Sequence, residues 1–87
     1  MDFLNCRVCL GSFSHERGVV ISGCNGADFS AIVDEKDVIT SRNPQIGEYI
    51  DGKVKVVLIK ECNDYFIVDL PSAGLSNGSR IKIPKSY

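Results

Sequence analysis

Two cysteines near the start of the chain have a spacing that occurs in metal sites. Cys6 and Cys9 form a C-x-x-C pair, which is half of the ligand set of a structural zinc site. Cys24 and Cys62, or His15, could supply the remaining ligands on paper. The pair lies in a predicted strand, however, where residues three apart point to opposite faces, and no second C-x-x-C follows. We therefore expect free thiols in a reducing compartment, with no metal or cofactor.

The residues that catalysis would require are not grouped in the sequence. His15 is the single histidine, and no serine or cysteine with an obvious third partner lies near it. The carboxylates of Asp34, Glu35 and Asp37 are close together, but such a cluster is typical of a charged turn. A glycine-rich phosphate loop is absent from the sequence. We expect a protein that is not an enzyme.

The stretch from residue 53 to residue 70 has the clearest secondary-structure signal. In both of its halves apolar residues recur at every second position, a period typical of strands. The polar link at 60–64 contains an Asn-Asp pair, which accepts the geometry of a hairpin turn. Because Val57, Ile59 and Ile67 make the second face of this hairpin apolar too, we expect that face to meet another sheet or to close into a barrel.

Shorter strands are predicted on both sides of this hairpin. They cover residues 3–10, 18–22, 29–33 and 80–83. Turn residues separate them at 23–26, 41–44 and 71–78, and a charged turn or one turn of 3-10 helix is expected at 34–37. We predict an all-β fold, an SH3-like or OB-like barrel of five to seven short antiparallel strands. One domain over residues 1–87 is expected, with two packed half-barrels, 1–42 and 46–87, as the alternative.

Charge is nearly balanced over the whole chain but not along it. The chain contains ten Lys and Arg residues and eleven Asp and Glu residues, a balance that gives no general reason for binding nucleic acid. After Leu70, however, every charged residue is basic. The candidate nucleic-acid surface consists of Lys53, Lys55, Tyr65, Arg80, Lys82 and Lys85. These side chains could hold a phosphate backbone and stack a base, although lysines on strands also serve simply to keep sheet edges soluble.

A protein partner is the alternative to a nucleic acid. Docking would use an exposed strand edge or an apolar patch near Phe3, Phe13 and Tyr49, as in an accessory or inhibitor protein of a phage or mobile element. A small-ligand site is a minor third alternative. No apolar run approaches the length of a membrane span, so we expect a cytoplasmic protein without a membrane partner. A homodimer through a strand edge would suit so small a core.

One segment is similar to a known motif. Arg7-Val8, Gly11, Phe13, Arg17-Gly18 and Val20 have the spacing of the KOW motif, which this stretch resembles. That motif occurs in bacterial transcription-elongation factors and in several large-subunit ribosomal proteins. The resemblance implies an SH3-like small barrel, and it implies that the loop at residues 12–17 contacts RNA or protein. Together with the basic end, it makes a non-catalytic binding module the function expected from the sequence.

Overall fold

In a computed structural model, which describes residues 2–23, 28–70 and 80–85, the chain is built from antiparallel β-strands. The strands are β1 (Phe3–Leu10), β2 (Glu16–Ser22), β3 (Asp28–Asp34), β4 (Val38–Thr40), β5 (Ile50–Lys55), β6 (Val57–Glu61), β7 (Tyr65–Asp69) and β8 (Arg80–Pro84). One 3-10 turn, Glu35–Asp37, joins β3 to β4. The described ranges contain no α-helix, so the predicted all-β class is confirmed.

The strands form two antiparallel sheets. The larger sheet has five strands in the order β3-β2-β1-β5-β4, and the smaller has three in the order β6-β7-β8. The pairing of β1 with β5 brings the first strand next to a strand from the middle of the sequence, with Leu4 opposite Val54. Residues from both of the half-barrels considered in the sequence analysis therefore share the larger sheet.

A single residue carries the chain from one sheet to the other. Val56 stands between β5 and β6, and its side chain is buried. Its backbone N–H donates to the Asp2 carbonyl at 2.9 Å, which extends the β1–β5 ladder by one rung. The segment from Ile50 to Glu61 thus serves both sheets with one residue between the two strands.

The two sheets share one hydrophobic core. Its buried side chains are Leu4, Val8, Val19, Ile21, Ala31, Val33, Val54, Val56, Val68, Leu70, Ile81 and Ile83. They recur at every second position along β1, β2, β3 and β8, as the alternation of strand side chains requires. One face of each sheet therefore covers the core, and the other is the outer face.

The structure confirms the central hairpin. Strands β6 and β7 pair antiparallel, with a register shift between Leu58 and Lys60, and the Cys62 N–H donates to the Tyr65 carbonyl at 2.8 Å to close the turn. The prediction that the second face of this hairpin would be covered was wrong for β6. Val57 and Ile59 are 47% and 42% exposed, so no described element covers their face of β6.

The remaining sequence predictions agree with the structure only in part. Strand β1 has the predicted bounds, β2 begins two residues earlier than predicted, and the 3-10 turn lies where it was expected. The turn at 23–26, apart from its first residue, and the loop at 71–78 lie outside the described residues. Pairing between the two sheets that would close a barrel is not seen in the described ranges. Within them, too, no helix has the length and apolar character that crossing a membrane requires.

The shared core predicts a steep cost for removing its side chains. We expect Leu4→Ala to destabilise the fold by about 2–5 kcal/mol, because Leu4 is fully buried and its loss leaves a cavity. The adjacent Phe3→Ala is the control, since Phe3 points to the outer face and is more than a third exposed. Chemical denaturation of both variants measures the difference. Equal losses of stability would contradict the assignment of the two faces.

Candidate binding surfaces

The outer face of the five-stranded sheet is the first candidate surface. The β1–β5 register places Phe3 opposite Lys55, Asn5 opposite Lys53 and Arg7 opposite Asp51. All six alternate with core residues, so they lie together on the outer face. Next to them, the Arg7 guanidinium carbon lies 5.9 Å from the centre of the Tyr49 ring.

Three shallow depressions adjoin one another on this outer face. The largest, about 440 Å³, is lined by residues that include Asn5, Arg7 and Asp51. A second of about 390 Å³ shares Asn5 and Asp51 and extends toward Ile39 on β4. A third of about 270 Å³ shares Val20 with the first and extends toward β3. Shallow depressions therefore follow one another across the outer face from β4 to β3, and a chain-like partner could lie along them.

Five of the six candidate nucleic-acid residues divide between the two sheets, and the sixth, Lys85, directly follows β8. Lys53 and Lys55 lie on the outer face of the larger sheet. Tyr65, Arg80 and Lys82 lie on the outer face of the smaller sheet, because β8 pairs with β7. The last strand thus lies next to the central hairpin, and whether these residues bind nucleic acid stays a prediction.

Several of these basic side chains already have partners. The Arg80 Nε lies 3.4 Å from the Asp69 carboxylate, and the Lys85 Nζ lies 2.8 Å from the Glu61 carboxylate. The same Lys85 contact lowers the pKa of Glu61. Lys82 Nζ lies 4.6 Å from the centre of the Tyr65 ring, a cation–π contact. Within the described ranges, neither Lys53 nor Lys55 forms an ion pair.

The three candidate protein-binding aromatics are exposed but do not form one patch. Phe3 begins β1, whereas Phe13 lies beyond the other end of that strand, stacked on His15 with ring centres 6.1 Å apart. Since β1 has eight residues, the two phenylalanines are separated by at least about 23 Å of strand. Tyr49 lines the third depression. Phe3 and Tyr49 thus share the outer face, and Phe13 belongs to the β1–β2 connection.

The two cysteines of the C-x-x-C pair lie on opposite faces of β1. Cys6 packs against the core, and burial raises its pKa to about 11. Cys9 lines the third depression on the outer face. Cys24 lies outside the described residues, and among those described no three His, Cys, Asp or Glu side chains are grouped as a metal site. The separation of Cys6 from Cys9 follows from the alternation of a regular strand.

The sequence analysis missed an ordered turn at residues 45–48. The Glu48 N–H donates to the Gln45 carbonyl at 3.0 Å, and Gly47 has φ of +78° at the third position of the turn. Arg42 donates to both Glu48 carboxylate oxygens at 2.7 Å, and one of them also accepts the Gln45 N–H at 2.9 Å. At its second position the turn presents Ile46, which is 93% exposed. The available signal was Gly47, directly before Glu48, the charged partner of Arg42.

The outer edge of β6 is the remaining candidate surface. All five of its residues are exposed, and the first three are Val57, Leu58 and Ile59. Strand β7 pairs with one edge of β6, and no described strand pairs with the other. The register shifts between Leu58 and Lys60, which is the mark of a bulge. A row of apolar side chains thus accompanies an unpaired row of backbone groups.

The Arg42–Glu48 pair predicts that the Glu48 carboxylate takes up its proton at an unusually low pH. The guanidinium of Arg42, followed by the Gln45 N–H, lowers the pKa of Glu48 from 4.5 to about 2. Because the folded pKa lies below the unfolded one, the carboxylate stabilises the turn above pH 4.5, and this contribution is lost as the pH falls through about 2. NMR shifts of the Gln45 amide, followed from neutral pH down to about 2, measure the transition. A midpoint near 4.5, or an unchanged curve in Glu48→Gln, would contradict the geometry.

Comparison of the chain with protein-family models, with curated proteins and with solved structures finds no match. The functional argument therefore depends on the surfaces described above.

Proposed function

We propose that the chain is a non-catalytic binding module that holds a protein partner along the outer edge of β6. The observation that supports this proposal is the exposure of Val57, Leu58 and Ile59 on a strand whose outer edge has no described partner. Contiguous apolar surface on a soluble domain commonly marks an interaction site. An unpaired strand edge adds backbone donors and acceptors, which an extended segment of a partner can satisfy.

The same edge carries features that make uncontrolled pairing less favourable. Lys60 follows the apolar residues, and a bulge interrupts the regular ladder between Leu58 and Lys60. Charged residues and bulges are common protections of edge strands against aggregation. A partner strand must accommodate both, so the edge selects a complementary segment. This combination favours the addition of one specific partner strand over non-specific aggregation.

We propose further that the two sheets belong to a small barrel of the SH3-like or OB-like type, as the KOW-like segment implies. Two features support it: the continuous β5–β6 segment and the core shared by both sheets. In this arrangement the β1–β2 connection, with Phe13 and His15, is a second place of contact for RNA or protein. A cytoplasmic location, as in an accessory protein of a phage or mobile element, is part of the same proposal.

Substitution on the edge strand tests the protein-binding proposal. We expect Val57→Thr/Ile59→Thr to abolish capture of the partner from the native host by a photo-crosslinker placed at Leu58. Threonine keeps the β-branched shape that strands prefer but removes apolar contact. Ile39→Thr on β4 is the matched control, since Ile39 is also an exposed residue of an edge strand. Equal capture by the double variant and the wild type would rule the β6 edge out.

A single-stranded nucleic acid is the second candidate partner, supported by a different observation. Arg7, Lys53 and Lys55 lie with Phe3 and Tyr49 on the outer face of the larger sheet, beside its shallow depressions. Basic side chains interleaved with aromatic rings on a sheet are the arrangement by which small β-domains hold single strands. The chain as a whole carries a net charge of −1, which makes this candidate second.

Charge reversal on each sheet tests the nucleic-acid candidate. We expect Lys53→Glu/Lys55→Glu to abolish binding of single-stranded oligonucleotides, while Arg80→Glu/Lys82→Glu, on the smaller sheet, retains it. Affinity should fall about 20-fold between 50 and 200 mM salt if three basic residues each contact a phosphate of a single strand. Mobility shift and filter binding measure both effects. The opposite ranking of the two variants would move the site to the smaller sheet, and no binding at low salt would exclude this candidate.

A further inference from the structure

Two opposite charges lie side by side on the outer face of the larger sheet without pairing. The β1–β5 register places Arg7 directly opposite Asp51. Residues in such positions of an antiparallel pair have Cβ atoms about 4.5–5.5 Å apart. Among the residues that the structure describes, however, neither side chain takes part in an ion pair. The guanidinium donors and the carboxylate lone pairs are therefore available to a ligand.

The contact between Arg7 and Tyr49 accounts for this separation. The guanidinium carbon lies 5.9 Å from the centre of the Tyr49 ring, within the range of a cation–π interaction. The guanidinium is thus held beside an aromatic ring instead of against the Asp51 carboxylate. A ligand that contacts both charged groups does not first have to break an ion pair. Part of the conformational entropy of the Arg7 side chain has also been lost before the ligand binds.

The two charges line a space of the size that small molecules occupy. The first depression, of about 440 Å³, is lined by residues that include Asn5, Arg7, Ser22 and Asp51. The second, of about 390 Å³, shares Asn5 and Asp51 and adds Lys53. Sites for small molecules commonly have volumes of about 300–1,000 Å³, and a few polar groups in them fix the orientation of the ligand. The two depressions together are called the Arg7–Asp51 site.

The charges of the Arg7–Asp51 site indicate which ligand would be complementary. A guanidinium binds a carboxylate through two parallel N–H···O hydrogen bonds, and the Asp51 carboxylate can accept from an ammonium group. An α-amino acid carries both of these groups on one carbon, so they can meet two neighbouring opposite charges. Lys53 lies one side-chain position along the same face of β5. Its positive charge would match a second carboxylate on the ligand.

We propose that the Arg7–Asp51 site binds an acidic α-amino acid. The α-carboxylate contacts Arg7, the ammonium contacts Asp51, and the side-chain carboxylate contacts Lys53. This inference is independent of partner binding at β6, because β6 belongs to the other sheet. The site shares Arg7 and Lys53 with the nucleic-acid candidate, so an acidic amino acid would compete with an oligonucleotide.

NMR titration of the full chain with L-glutamate, at a constant ionic strength of about 0.1 M, tests the proposal. Because the charged groups are exposed, we expect a dissociation constant of about 1–10 mM, with the largest amide shifts on β1 and β5. N-acetyl-L-glutamate lacks the ammonium group, and L-glutamine lacks the side-chain charge. Each should bind about three- to fivefold more weakly, which is the effect of losing one exposed ion pair.

Substitutions assign each contact to a residue. Asp51→Asn should remove the preference for L-glutamate over N-acetyl-L-glutamate, and Lys53→Gln should remove the preference over L-glutamine. Arg7→Gln should weaken binding of all three ligands. Lys82→Gln, on the outer face of the smaller sheet, is the matched control and should change none of these affinities. All four residues are exposed, so thermal unfolding of the variants should match that of the wild type.

Three outcomes would overturn the proposal. The first is the absence of amide shifts with L-glutamate up to about 50 mM. The second is equal binding of L-glutamate and N-acetyl-L-glutamate to the wild type, and the third is an equal loss of binding in Lys82→Gln and Lys53→Gln. The last two would show a general attraction of anions to lysines. Failure of partner capture at β6 would not affect this inference, since the two tests use different sheets and different variants.

Discussion

The passage of one extended segment through both sheets is the constraint on which the rest of the structure depends. Val56 is the only residue between β5 and β6, and it is buried with its N–H bonded to the Asp2 carbonyl. With no linker between them, the two sheets must contribute to one core. Because successive side chains of a strand point to opposite faces, every strand that contributes to this core has an inner face toward it and an outer face away from it. Each surface considered as a binding site is a consequence of that assignment.

The size of the domain explains why so much apolar surface stays outside the core. A chain of 87 residues buries a smaller share of its surface than a larger domain does. The inner faces of the two sheets are filled by valine, leucine and isoleucine, and similar residues remain on the outside at β6 and at the turn of Ile46. These two surfaces differ in kind: β6 offers backbone groups together with side chains, whereas the turn offers one fixed side chain. They are therefore suited to different partners.

Charge is organised locally in this molecule. The Arg42–Glu48 pair fixes a turn, the Arg17–Glu35 pair at 3.2 Å links β2 to the 3-10 turn, and Lys85 contacts Glu61 across the smaller sheet. Exposed pairs of this kind contribute little stability, but they decide which side chains are available for a partner. In the described part of the chain Lys53 and Lys55 have no such contact, and Lys82, which has no ion pair either, lies over the Tyr65 ring. The nucleic-acid candidate therefore depends on the larger sheet more than on the basic end of the sequence.

The sequence by itself determined the strand character of most segments, the turn of the central hairpin and the placement of Cys6 and Cys9 on opposite faces. These features depend on residues close together in the chain, whose alternation and turn chemistry are local properties. It did not determine that β1 would pair with β5, that Val57 and Ile59 would lie on an open edge, or that five of the six basic and aromatic candidates would divide between two sheets. Those outcomes depend on which strands become neighbours, a choice made by the burial of the whole core. Ile46 illustrates the difference: its apolar side chain suggests burial, but it is 93% exposed on a turn whose hydrogen bonds join Arg42, Gln45 and Glu48.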